Sequence, residues 1–298
     1  MAIWDREKSN ESIPEWFFSA VETEYDVNQV EVEECDIVYQ RWGNKENPPI
    51  LLVHGMHAHA HWWDFIAPQM LSEYQVAAIN LSGMGDSDYR YDYSGDIYGQ
   101  ELKAVCDACG FDQNVVLVAH SFGGNVAIKA ANMYPDRFGS IVLVDSGLRD
   151  PKEAVPDRPS MSGRSGKIYP DKVTALSRFR LQPPQPCDNR FILEYIARNS
   201  LMAMEGGWVW KFDDDLLDSI TDMMITPDYY KNLTLPIGLI YGEHSELFSD
   251  LSARYMMSLL SSEVPTSVIP NAQHHLFLDQ PLVFVKELKN MLTLLSSN

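Results

Sequence analysis

The sequence has little cysteine, few basic side chains and no long hydrophobic run. Four cysteines in 298 residues are too few for a scaffold held together by disulfides. Only 23 lysine and arginine residues stand against 42 aspartate and glutamate residues, which gives a net charge of −19. Such a surface repels phosphate backbones and anionic lipid, so the charge excludes nucleic acid and acidic membranes as partners. No apolar stretch approaches the roughly 20 residues of a membrane span.

The chain start also lacks an apolar stretch, which argues against a signal peptide and for a cytoplasmic protein. Hydrophobic residues make up 45% of the sequence, enough to bury a sizeable core. We therefore expect a globular protein, monomeric or homodimeric, whose partner is a small molecule.

Short aliphatic or β-branched runs alternate with amphipathic stretches from residue 30 onward. This alternation predicts a mostly parallel sheet covered by helices on both faces. An edge hairpin at 30–32 and 36–42 precedes predicted strands at 50–53, 76–81, 115–119, 141–144, 237–241 and 266–269. Predicted helices lie at 62–71, 98–109, 123–134, 250–260 and 281–295.

One stretch breaks the alternation. Residues 147–235 are rich in proline, contain helical patches and show no good strand. We expect a largely helical cap at 147–235, inserted between two strands of a core domain formed by 1–146 and 236–298.

The most informative stretch surrounds Ser121. An apolar run at 115–119 leads into Ala119-His120-Ser121-Phe122-Gly123, and an amphipathic helical pattern follows. Small residues on either side of a serine allow the sharp strand-to-helix turn of a nucleophile elbow. The helix N-terminus then offers backbone N–H groups to a developing negative charge. Ser121 is therefore the predicted nucleophile.

A nucleophilic serine needs a base and a carboxylate. His274 and His275 lie in a loop after the last predicted strand, from which a ring can reach the carboxyl edge of the sheet. Carboxylates follow two core strands: Asp145 follows the run at 141–144, and Glu243 and Glu246 follow the run at 237–241. Each gives the chain order serine, acid, histidine.

Four motifs together carry a resemblance to a known family. They are Val53-His54-Gly55-Met56, residues 80–87 (Asn-Leu-Ser-Gly-Met-Gly-Asp-Ser), residues 119–124 and residues 274–281. In this order the chain resembles α/β-hydrolases of the esterase, lipase and carbon–carbon hydrolase group. The resemblance implies the α/β-hydrolase fold, with a helical cap between two core strands.

The resemblance also implies roles for single residues. Ser121 corresponds to the nucleophile, and the backbone N–H groups of Met56 and Phe122 correspond to the oxyanion hole. His274 is favoured over His275 as the base, because an acidic residue and a proline follow it in the family's register.

The acid is assigned on the same resemblance. Many members of the family carry aspartate at the last position of Gly-x-x-Asp, where this chain has Ser245. Others resemble Gly-Glu-x-Ser-Asp, and on that alignment Glu246 is the expected acid. Asp145 stays as the alternative, because some relatives place the acid at that earlier strand end.

The implied activity is hydrolysis of a small carboxylic ester or related acyl compound through an acyl-enzyme, without cofactor or metal. Epoxide hydrolases and haloalkane dehalogenases of this fold carry aspartate where Ser121 stands. A carbon–carbon bond hydrolase acting on a vinylogous diketone uses the same triad and is the nearest alternative. A non-catalytic binding protein of this fold is the other alternative, and a broken triad would mark it.

Three further patterns have simpler interpretations. The alternating histidines His57, His59 and His61 resemble half of a zinc motif, but the motif's Asp-His pair is missing, so we expect a solvated loop with a few hydrogen-bonded rings. Cys106 and Cys109 lie near a helix end, where two small core residues are expected rather than a redox pair. The aromatic residues of the predicted cap form either a pocket wall or a small core of their own; they are Trp208, Trp210 and Phe212.

Overall fold

An eight-stranded sheet forms the centre of the computed structural model, which describes residues 13–111, 114–153, 166–260 and 263–296. The strands run in the order β1-β2-β4-β3-β6-β7-β11-β12. β2 pairs antiparallel with β1 and β4, and the other neighbours are parallel. The predicted mostly parallel sheet is confirmed. Its strands are β1 (Asp26–Val32), β2 (Cys35–Trp42), β3 (Pro49–Val53), β4 (Gln75–Ile79), β6 (Val116–His120), β7 (Ser140–Val144), β11 (Ile237–Gly242) and β12 (Thr266–Ile269).

Helices cover both faces of this sheet. They are α1 (Glu15–Val21), α2 (Gly95–Ala108), α3 (Phe122–Met133), α8 (Asp250–Leu259), α9 (Leu276–Asp279) and α10 (Pro281–Ser296). The helix predicted at 62–71 is wrong, because two short 3₁₀ turns occur there, Ala60–Trp63 and Ala67–Met70. Pro68 has no N–H to continue a helical ladder from the first turn into the second.

The central strands are buried on both faces, as parallel strands between two helical layers must be. Side chains alternate between the layers: Leu51 and Val53 join the core beneath α2 and α3, whereas Ile50 and Leu52 join the core beneath α1 and α10. Cys106 and Cys109 are buried in the first of these cores and are not bonded to each other, which confirms their interpretation as core residues.

The inserted segment, residues 147–235, lies between β7 and β11. Its described part contains α4 (Lys172–Leu176), α5 (Arg190–Asn199), α6 (Leu216–Ser219) and α7 (Pro227–Lys231). The expectation of no strand here is wrong, because β8 (Leu201–Met204) pairs with β9 (Gly207–Trp210), and β10 (Ile220–Thr221) pairs with β5 (Tyr93–Ser94). Gly206 turns the β8–β9 hairpin with a φ of +91°, a conformation that favours glycine. Within the described ranges, no helix combines the length and apolarity needed to cross a membrane.

Candidate active site

Ser121 occupies the sharp turn between β6 and α3. Its φ is +53°, a strained value for a residue with a side chain. The carbonyl of Ser121 accepts a hydrogen bond from Ser146 Oγ at 2.6 Å, and its N–H donates to the carbonyl of Val144 at 3.0 Å. Contacts from the neighbouring strand end therefore hold the turn in this conformation.

The glycines after Ser121 allow the helix to approach the sheet closely. A Cβ atom on Gly123 would lie 2.5 Å from the carbonyl oxygen of His54, and one on Gly124 would lie 2.1 Å from Ser146 Oγ. Both distances are shorter than a van der Waals contact. Lack of space for a side chain thus explains the glycine of the small-x-Ser-x-Gly pattern, Gly123, and the glycine that follows it.

A chain of two hydrogen bonds connects Ser121 to a carboxylate. Ser121 Oγ lies 2.9 Å from Nε2 of His274, and Nδ1 of the same ring lies 2.6 Å from Oδ2 of Asp145. His274 and Asp145 are both buried. An ionised carboxylate accepts only, so Nδ1 carries the proton and Nε2 accepts from the serine hydroxyl. This is the arrangement that lets a histidine remove the proton of a serine.

Asp145 is held by several donors. Its Oδ1 accepts from the N–H of Gly242 at 3.0 Å, and its Oδ2 accepts from Ser245 Oγ at 2.6 Å. Burial raises the pKa of Asp145 above its ordinary value, and the bonds from Ser245 and Gly242 counteract that effect. Asp145 also has a positive φ of +46°, so the chain turns sharply here to aim the carboxylate.

The structure does not bring Glu246 to His274, which corrects the expected position of the acid. Glu246 is exposed, and its backbone carbonyl accepts from Arg149 Nη1 at 3.2 Å. The carboxylate of Asp145, directly after β7, is buried against His274, whereas Glu246 lies exposed on the loop after β11. The same indication was present in the sequence for Asp145, because Asp145, like Glu246, follows a core strand.

The loop after β3 approaches Ser121. A Cβ atom on Gly55 would lie 3.3 Å from Ser121 Cβ, tighter than an ordinary van der Waals contact, so glycine favours this close approach. His54 anchors the loop: its Nε2 accepts the N–H of Leu81 at 3.1 Å, which leaves Nδ1 to donate to the carbonyl of Gly55 at 2.7 Å. Burial lowers the pKa of His54 to about 4, so the ring stays neutral. Met56 follows directly on this anchored turn.

Phe122 is the first residue of α3. The first N–H groups of a helix have no acceptor within it, and the helix dipole makes this end positive. Of the two residues expected at an oxyanion hole, Phe122 directly follows Ser121 at the start of α3, and Met56 follows Gly55 on the loop that approaches Ser121.

Two more histidines surround His274. His120 Nε2 lies 3.0 Å from the carbonyl oxygen of His274, and burial lowers the pKa of His120 to about 3. Ligand atoms of His120, His274 and His275 all lie within 4.8 Å of one another, a grouping that can be tested as a metal site. Both ring nitrogens of His274 already bond to Ser121 and Asp145. An ion bound through His274 would therefore break one of these two bonds.

The loop of the alternating histidines is largely buried, so the expectation of a solvated loop is wrong, and its hydrogen bonds connect the core to the inserted segment. His59 Nε2 lies 2.7 Å from Ser200 Oγ, at the end of α5. His61 Nδ1 lies 2.7 Å from Asp64 Oδ2, and the same oxygen accepts from the hydroxyl of Tyr195 at 2.6 Å. Local sequence patterns cannot show the contacts of Ser200 and Tyr195, because each joins residues more than 130 positions apart.

The aromatic residues of the inserted segment divide between two environments. Trp208 and Trp210 pack against a small cluster that contains Tyr169, as expected for a local core. Phe212 instead stacks on the ring of His57, with 4.4 Å between the ring centroids. Since His57 follows Met56, this stack lies beside the loop that approaches Ser121.

Comparisons with known proteins identify the family of the chain. The alpha/beta hydrolase family model matches residues 50–287. The chain belongs to the α/β-hydrolase family. It is 25% identical over 258 residues to an esterase of Mycobacterium tuberculosis, which covers 85% of each chain. It is 24% identical over 282 residues to epoxide hydrolase 3 of Xenopus tropicalis, covering 85% of this chain and 74% of the relative.

A solved structure supports the same fold. The crystal structure of E-2-(acetamidomethylene)succinate hydrolase superposes with a TM-score of 0.73 at 18% identity, covering 91% of this chain and 100% of the other. Hydrolase is the enzyme class that the named relatives of this α/β-hydrolase share.

Proposed function

We propose that the chain is a serine hydrolase that cleaves small carboxylic esters through an acyl-enzyme. The observation that carries the proposal is the hydrogen-bonded chain from Ser121 through His274 to Asp145. Its three residues lie at the carboxyl ends of β6 and β7 and in the loop after β12, the sheet edge where open α/β sheets bind their ligands.

The first half-reaction forms the acyl-enzyme. His274 Nε2 takes the proton of Ser121 as Oγ attacks the ester carbonyl carbon. The tetrahedral intermediate collapses, the carbon–oxygen bond to the alcohol breaks, and the alcohol leaves with the proton from Nε2. Asp145 keeps Nδ1 protonated and stabilises the imidazolium that forms in between.

The second half-reaction releases the acid. A water molecule gives a proton to His274 Nε2 and attacks the acyl carbon. The bond from that carbon to Ser121 Oγ then breaks, and Oγ recovers the proton. In both halves the backbone N–H groups of Met56 and Phe122 stabilise the negative oxygen, a contribution that typically changes rates about 10²–10³-fold per donor.

The serine also favours one reaction class among the relatives. Enzymes of this fold that open epoxides carry an aspartate where this chain has Ser121, so acyl transfer is favoured over epoxide hydrolysis. The intact triad argues against a purely binding function. We further propose that residues 147–235 act as a cap over the site, with Phe212 beside His57 as part of an apolar wall for a small, neutral substrate.

The test is a panel of p-nitrophenyl esters of increasing acyl length, together with thioesters, lactones and diketones. We expect hydrolysis of short-chain esters, and covalent labelling by a fluorophosphonate at Ser121 located by mass spectrometry. Ser121→Ala should abolish both, while Ser258→Ala, at an exposed position on α8, should change neither. Full ester hydrolysis by Ser121→Ala would overturn the proposal.

A further inference from the structure

The hydroxyl of Ser245 contacts the carboxylate that bonds to His274. Ser245 Oγ lies 2.6 Å from Oδ2 of Asp145, and the same oxygen lies 2.6 Å from Nδ1 of His274. Ser245 is on the loop after β11, whereas Asp145 directly follows β7. The site therefore receives a carboxylate from one strand end and a hydroxyl from the next.

The other contacts of Ser245 fix the direction of this hydrogen bond. Its Oγ also accepts the backbone N–H groups of Leu247 at 3.2 Å and Phe248 at 3.3 Å. Two N–H donors point at the oxygen, so the hydroxyl proton is left to point at Asp145. Asp145 in turn accepts from Ser245, from the N–H of Gly242 and from His274. A carboxyl group that accepts from three donors is stabilised in its ionised form.

We propose that Ser245 is a positioning residue, whose hydroxyl keeps Asp145 ionised and aimed at His274. This inference rests on the proposed function, because it assigns a task to a residue that acts through Asp145 and touches no substrate. It predicts that the hydroxyl of residue 245 is needed to keep Asp145 ionised and in place, and that the shape of the loop alone does not do this.

Apart from His274, the charged or titratable groups near Asp145 are neutral histidine rings, exposed side chains, and an arginine that bonds elsewhere. Burial lowers the pKa of His120 to about 3 and that of His275 well below its usual range, so both rings are neutral around pH 7. The charged side chains after β11 are exposed, and the guanidinium of Arg149 donates to the carbonyl of Glu246. The groups on the elements around Asp145 are His120 on β6, His274 and His275 after β12, Glu243, His244 and Glu246 after β11, and Arg149 on its own loop.

A matched pair of variants separates the hydroxyl from the shape of the side chain. Ser245→Thr keeps the hydroxyl, and Ser245→Val has the shape of threonine without it. The measurement is the pH dependence of kcat/KM for a short p-nitrophenyl ester between pH 5 and 9. Loss of a hydrogen bond to the ionised Asp145 raises its pKa, so the acid limb should move to higher pH by about one unit in Ser245→Val. At pH 6 this variant should be about tenfold slower, and Ser245→Thr should stay within threefold of the parent.

A second readout does not depend on activity. The low-field proton resonance of the hydrogen bond between His274 and Asp145 should weaken or shift in Ser245→Val and persist in Ser245→Thr. Acid limbs and resonances that coincide in all three proteins would overturn the inference, as would a uniform loss of rate in Ser245→Val with an unmoved acid limb. A parent chain that neither hydrolyses esters nor labels at Ser121 would instead refute the proposed function, and the resonance would still decide the role of Ser245.

Discussion

The Nδ1 atom of His274 lies 2.6 Å from Oδ2 of Asp145, a residue at the end of the strand that pairs directly with β6. Ser121 follows β6, so the proposed nucleophile and the proposed acid come from neighbouring strands, and the loop after β12 brings His274 between them. The hydrogen bonds from His274 to Asp145 and to Ser121 define the site more narrowly than any single motif does. They also make the acid the first role to test.

Replacing Asp145 should cost far more activity than replacing Glu246. Asp145→Asn removes the acceptor that keeps Nδ1 of His274 protonated, so the wrong tautomer faces Ser121. We expect kcat to fall by about 10³–10⁴-fold, as for the equivalent change in other serine triads. Glu246 is exposed, and its backbone carbonyl accepts from Arg149, a contact that the side-chain change leaves in place, so Glu246→Gln should stay within twofold.

The measurement is steady-state hydrolysis of a short ester by both variants, with melting temperatures to confirm that each is folded. The reverse ranking would return the acid role to Glu246 and contradict the geometry around His274.

The partly buried His61 should make the free energy of unfolding depend on pH in the alkaline range. Burial lowers the pKa of His61, but the carboxylates of Asp64 and Asp86 outweigh burial and raise it to about 9. A histidine in the unfolded chain titrates near 6.5, so the folded state binds the proton more tightly. The resulting stabilisation is complete below about pH 6.5 and is lost as the pH rises to about 9. It amounts to roughly 3 kcal/mol.

Urea unfolding at a series of pH values tests this. The free energy of unfolding of the parent should decline between pH 6.5 and 9, and His61→Gln should flatten this decline. His244→Gln provides the control. Because His244 is exposed, the free energy of unfolding of this variant should decline as it does in the parent. Parallel declines in the parent and in His61→Gln would show that His61 is not the group that titrates.

Much of the core could be predicted from local patterns. The aliphatic runs of β3, β6 and β7 are short and uninterrupted because both faces of these strands are buried, and such runs are visible in the sequence. The turn at Ser121 could also be predicted from a local pattern, the glycine at 123. This glycine is required because a side chain there would collide with the backbone of the loop after β3.

The acid and the contacts of the inserted segment could not be predicted in the same way. Asp145 and Glu246 both follow core strands, and tertiary contacts distinguish them: Asp145 is buried against His274, 129 positions away, whereas Glu246 is exposed. His59 bonds to Ser200, 141 positions away, and no local pattern encodes such a contact. Helical stretches were overestimated at 62–71, where Pro68 interrupts the backbone hydrogen bonds.

Adding one methyl group at Gly123 should damage both stability and activity. The new Cβ would lie 2.5 Å from the carbonyl oxygen of His54, so the loop that carries Met56 must move away from Ser121. We expect Gly123→Ala to lower the melting temperature and to reduce kcat by at least tenfold. Gly110→Ala is the matched control: its Cβ meets nothing within 4 Å, and its φ of +67° costs about 1 kcal/mol of strain far from the site.

Both variants are compared by thermal unfolding and ester hydrolysis. Equal effects of the two variants on kcat would mean that the close approach at Gly123 does not position the oxyanion loop.

The stack of Phe212 on His57 should strengthen the binding of longer acyl groups. The two ring centroids lie 4.4 Å apart, and His57 follows the expected oxyanion residue Met56. Removing the ring in Phe212→Ala takes away part of the apolar wall, so longer acyl chains should lose binding area while an acetyl group loses little. We expect KM for a hexanoate ester to rise severalfold, with kcat for the acetate ester nearly unchanged. Trp208→Ala removes a comparable ring from the separate cluster around Tyr169 and should leave both constants unaltered. Equal changes for acetate and hexanoate in Phe212→Ala would place this ring outside the acyl pocket.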